Sequence, residues 1–167
     1  MNGRTHQASE SQLGRLAPNR RFKGGGLILL ALLGVALFAS ATPLAAEAWE
    51  YNRESILHGE WSRLLTGHLT HWNFDHFVWD AATLLVLGVA CVWRSVGRTA
   101  AALLGSAAAI SASLVWLQPD VATYRGLSGL DSALFTLLAA MIWRESRQTG
   151  RWKLGAVAIA AALGFLA

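Results

Sequence analysis

Charge is scarce in this chain. Asp, Glu, Lys and Arg make up 14% of its 167 residues, while 54% are hydrophobic. An ordinary soluble domain carries about 25% charge. The deficit, with a positive mean hydropathy, excludes a soluble globular protein. Several apolar runs approach 20 residues, the length that crosses a bilayer. Cysteine is nearly absent as well. The single Cys91 lies inside an apolar run, so disulfides play no part and its role is packing. No repeat of 20–50 residues and no low-complexity tract is present, which excludes solenoids and repeat arrays. The basic balance does not point to nucleic acid, because basic residues in such a chain report orientation first. No pair of histidines or carboxylates has a diagnostic metal spacing, so no metal is expected, and no cofactor is implied.

What is present is a series of apolar runs separated by polar connections. Residues 1–23 carry Arg4, Arg15, Arg20, Arg21 and Lys23 and are expected to be a disordered cytoplasmic tail. The run 24–46 is read as an uncleaved first span rather than a signal peptide, since it exceeds a usual signal core and further spans follow. Residues 47–66 mix Trp, Glu and Leu in an amphipathic segment suited to the outer membrane interface. A second span is expected over 73–93, and a third over 99–117 that ends at the turn Gln118-Pro119-Asp120. A fourth, short for a crossing, covers 126–144, and a fifth starts near Leu154. The fold class is therefore all-α, a polytopic membrane helical bundle over residues 24–167 with five spans. With the N-terminus inside, 11 of the 14 basic residues fall on the cytoplasmic side, leaving Arg53, Arg63 and Arg125 outside. That bias fits the positive-inside rule.

The chemistry gathers at the outer ends of two spans. Gly126-Leu127-Ser128-Gly129 sets a serine between glycines at the start of the fourth apolar segment. The glycines permit a sharp turn and close approach of a substrate carbonyl; taken alone, Ser128 reads equally well as a helix-packing serine. The second span opens with His71, His76 and Asp80. His76 and Asp80, four residues apart, share one helix face. Asp80 lies in the apolar zone, where an exposed carboxylate costs about 2.5–3.5 kcal/mol on insertion scales. It must face a protein interior or a wet cavity. Topology places Ser128, His76 and Asp80 at one shallow depth on one side. Asp131, on the Ser128 face, reads as a helix-terminus carboxylate. His58 and His68 read as interfacial side chains reaching the headgroups.

Together these features resemble a rhomboid-type intramembrane serine protease, and within that family the bacterial subgroup called rhombosortases. The resemblance runs from Trp49 to Trp143 and rests on the stretch Trp61-Ser62-Arg63 through His68, the His71, His76 and Asp80 pattern, and Gly126-Leu127-Ser128-Gly129. It implies that Ser128 is the nucleophile, that His76 and Asp80 serve the oxyanion, that Gly126, Gly129 and His71 support them, and that segment 47–66 is the embedded outer loop. The implied substrates are single-span membrane proteins, and for rhombosortases the C-terminal sorting tails of secreted proteins. The implied location is the bacterial inner membrane, with the site facing the periplasm.

Two features depart from the family. Asp80 stands where most rhomboids have Asn; ionised, it has no hydrogen to donate, so it must be protonated or must orient His76. The family's general base is a histidine on a sixth helix, and no histidine follows His76. The chain is accordingly expected to be part of a longer six-helix protease. The alternatives are a pseudoprotease that binds membrane helices without cutting, and a Ser128–His76–Asp80 set with His76 as base.

Overall fold

The computed structural model describes residues 20–166; the expected tail lies mostly outside them. The bundle is all helical apart from one short ribbon. Helix α1 spans Arg20–Ala41 and α2 Pro43–Trp49. The expected continuous run 24–46 is broken at Thr42, which is extended, and Pro43 starts the next helix at a position where its missing N–H costs nothing. Then come β1 (Tyr51–Asn52), α3 (Arg53–Leu57), α4 (Arg63–Thr66) and a 3-10 turn (Gly67–Leu69). Helix α5 covers Phe74–Arg94, α6 Val96–Trp116, β2 Thr123–Tyr124, α7 Ser128–Gln148 and α8 Trp152–Leu166.

Among the described residues three helices are long and apolar enough to cross a membrane: α1 from Gly24, α5 and α6. Helix α7 has 21 residues, so the fourth segment is not short as expected; it runs on through Arg144 and Glu145, and these charges make it too polar to stand with the other three. Helix α8 is apolar but only 15 residues long. Ser95 accepts from the Arg98 N–H and so caps α6 directly after α5.

The main core joins α1, α5, α6 and α7 through Leu29, Ala36, Leu84, Leu87, Leu103 and Leu134. Cys91 is fully buried among them, as its packing role requires. A second cluster of Tyr51, Ile56 and Leu114 lies beneath the segment between the first and second spans. That segment is not one amphipathic helix. It is a compact set of short turns, held by Arg63 donating to the Glu47 and Glu50 carbonyls, Thr66 to the Trp49 carbonyl, and Arg53 to the carbonyls of Leu114 and Val115 at the end of α6. Trp61, Leu57 and Leu65 stay exposed, as an interfacial surface would have them. Antiparallel pairing of Tyr51 with Tyr124 and Asn52 with Thr123 ties this loop to the segment ahead of Ser128, so the loop and the candidate nucleophile share one frame.

Candidate active site

Ser128 is the first residue of α7 and is exposed. The turn that delivers it depends on Gly126, whose φ of 135° lies in a region side chains rarely adopt. The Gly126 N–H donates to the Gly67 carbonyl at 3.3 Å, and the next amide, Leu127, donates to Asp80 Oδ2 at 3.1 Å. Gly129 serves differently. A Cβ there would stand 2.4 Å from Ile110 Cδ1 and 3.4 Å from the Tyr124 hydroxyl, so its lack of a side chain lets α6 and Tyr124 close on the start of α7.

The opposite wall is the first turn of α5. Asn73 caps it by accepting from the His76 N–H at 2.8 Å. One helical turn later, Asp80 points inward, 8% exposed. Its Oδ2 is a meeting point: His76 Nε2 and His71 Nε2 each lie 3.3 Å away, beside the Leu127 amide. His71 has a fully buried side chain, stands edge-on to the rings of His76 and Phe77, and places Nδ1 3.0 Å from Ser40 Oγ on α1. His76 is the open member, with 35% of its side chain exposed. His71, His76, Asp80 and the turn before Ser128 thus form one cluster. Among the described residues no hydrogen bond joins Ser128 to either imidazole.

Residues 58–167, well over half of the chain, match the family model of the Rhomboid domain. The chain belongs to the rhomboid family. Rhomboids are intramembrane proteases, generally of the serine type, which agrees with a membrane-embedded bundle carrying a serine at a helix start. No curated protein matches the chain, and no solved structure does.

Several residues of this candidate site are not evident from the motifs. Tyr124 donates to the Gly126 carbonyl at 3.1 Å, beside the N-terminus of α7. Burial raises its phenol above the ordinary value, so Tyr124 remains neutral. Arg125 pairs with Glu50 at 2.8 Å and lies over the Trp72 ring at 4.6 Å; both groups of the pair are largely buried. Ser40 reaches the site from the first span. A tyrosine two residues ahead of the Gly126–Gly129 motif and a hydroxyl near the end of a span are the available signals, but packing alone gives them partners.

His68 departs from its expected interfacial role. It is 2% exposed, with Nε2 3.2 Å from the Ala107 carbonyl and 3.1 Å from Ser111 Oγ. It fastens the 3-10 turn to α6. Burial lowers its value below the ordinary histidine range, with the Ala107 bond opposing. His58 is exposed and bonds to the Glu54 carbonyl. Asp131 does fall in the first turn of α7, but it is buried at 3% exposure and its Oδ1 has no hydrogen-bond partner among the described residues.

Proposed function

We propose that this rhomboid chain is an intramembrane serine endopeptidase that cuts single-span membrane proteins at the outer end of their helix. The carrying observation is the open Ser128 at a helix start, one residue from an amide bound by the His76–Asp80 cluster. Ser128 attacks the scissile carbonyl and forms an acyl-enzyme, which water then hydrolyses. Asp80 orients His76. With its Nε2–H on Asp80, a neutral His76 presents a lone pair at Nδ1. It can take the Ser128 proton, and as an imidazolium it then donates toward the oxyanion and the leaving amine. Gly126 keeps a side chain away from His76 and Asp80, while Gly129 lets α6 and Tyr124 close on the start of α7.

The resemblance to rhombosortases extends this reading to C-terminal sorting tails of secreted proteins, with small residues ahead of a membrane helix and basic residues after it. The bacterial inner membrane and a site open to the periplasm follow from the same likeness and from the basic-residue bias. One observation favours a second reading, a pseudoprotease that holds membrane helices without cutting: among the described residues no imidazole is hydrogen-bonded to Ser128.

Fluorophosphonate labelling of the purified protein in detergent separates the two. The protease reading expects labelling that Ser128→Ala abolishes and His76→Ala reduces by roughly 10²–10⁴-fold, the usual worth of a general base. Absence of labelling in the wild type would remove His76 as the base and leave the helix-binding reading or a longer six-helix protease with its base on the sixth helix.

A further inference from the structure

We propose that Ser40, at the end of the first span, is a positioning residue for the site, acting through His71. The Ser40 hydroxyl donates to the Ala36 carbonyl at 2.7 Å, a back-bond to the preceding helical turn. A hydroxyl has one proton. Toward His71 Nδ1, 3.0 Å away, Ser40 Oγ therefore acts as acceptor, and Nδ1 carries the imidazole hydrogen. The hydrogen bond made by one ring nitrogen sets the state of the other, so Nε2 of the neutral ring is a lone pair. That lone pair faces the Leu127 N–H at 3.4 Å, and the same amide donates to Asp80 Oδ2 at 3.1 Å. The amide immediately before the nucleophile is thus shared between two acceptors.

Removing the Ser40 oxygen would leave an N–H at Nδ1 buried without a partner, which is costly. The proton then moves to Nε2, where it points at Asp80 Oδ2, 3.3 Å away. Two consequences follow. Nε2 no longer accepts from Leu127, and His71 competes with His76 and Leu127 for the same carboxylate oxygen. The first span thereby reaches the nucleophile's backbone through one buried ring.

The tautomer is independent of catalysis, whereas the expected loss of reactivity rests on the protease reading above. The test uses the full chain in detergent, labelled with ¹⁵N-histidine, with the His71 signals assigned from a His71→Gln sample. The wild type is expected to show the Nδ1–H tautomer, Ser40→Ala the Nε2–H tautomer, and Ser40→Thr the wild-type pattern. In parallel, fluorophosphonate labelling of Ser128 should slow roughly tenfold in Ser40→Ala, the scale of a small misplacement, and recover in Ser40→Thr. An Nε2–H tautomer in the wild type overturns the proposal and needs no variant to fold. A tautomer indifferent to Ser40→Ala, or one that switches while labelling is unchanged, also overturns it. A wild type that never labels but whose His71 tautomer follows Ser40 supports the assignment and sinks the reading of His76 as the base instead.

Discussion

Gly126 shows how a single residue sets the site. At φ 135°, an added Cβ would lie 3.5 Å from His76 Cε1 and 3.6 Å from Asp80 Oδ2, ordinary contacts. The cost of Gly126→Ala is therefore backbone strain, on the order of 1–3 kcal/mol. Relief of that strain turns Ser128 away, so Gly126→Ala should lower the thermal midpoint and abolish fluorophosphonate labelling. Tyr124→Phe is milder. It removes the donor to the Gly126 carbonyl, worth about 0.5–1.5 kcal/mol. Labelling should slow several-fold with little loss of stability, which a rate measured beside a melting curve would show. His68 supplies a pH signature. Its folded-state value lies below the ordinary 6.5, so the unfolded chain binds the proton more readily. Its contribution to stability is full above that value and falls as pH drops through the folded value. Melting curves between pH 7.5 and 5 should decline in the wild type and flatten in His68→Gln.

At the scale of elements, the 3-10 turn, the ribbon and the nucleophile turn behave as one block, and Gly67 is its pin. Its carbonyl accepts from Gly126, while a Cβ at Gly67 would stand 2.6 Å from the Tyr51 backbone nitrogen. Backbone cannot rotate out of the way as a side chain can. Gly67→Ala must push β1 aside, at a cost of about 1–3 kcal/mol for overpacking. Because β1 pairs with β2, the displacement travels to Ser128. Labelling should fall along with the melting temperature even though residue 67 touches no substrate; unaltered labelling in a destabilised variant would mean that the two strands move independently. This block was only partly legible in the sequence. Segment 47–66 is legible as aromatic and amphipathic, but not as a set of short turns. The short turns arise from long-range bonds of Arg53, Arg63 and Thr66, whose acceptors are main-chain carbonyls without any residue signature.

The whole bundle was readable where hydrophobicity is continuous and polar groups are costly. Spans α1, α5 and α6 followed from run length, while Asp80 and His76 followed from the expense of a carboxylate in an apolar zone. Ser40 escaped notice because a serine in a span can satisfy itself on its own helix, and Asp131 because a helix-start carboxylate already has a surface explanation. The fourth segment was mismeasured because its last turn is charged while remaining helical. Orientation is the property the charges predict most directly, and it decides which compartment meets Ser128. The contact of Leu127 with Asp80 puts the starts of α5 and α7 at one end, together with the connection containing Gln118; Thr149 follows α7 at its other end. Both positions are exposed, and Cys91 is buried, so a single added thiol reports cleanly. In intact bacterial cells stripped of outer membrane, Gln118→Cys should react with a membrane-impermeant maleimide, and Thr149→Cys only after permeabilisation. The reverse pattern would place Ser128 on the cytoplasmic side, defeat the reading of the basic residues as an inside signal, and rule out secreted proteins as substrates cut at their outer end.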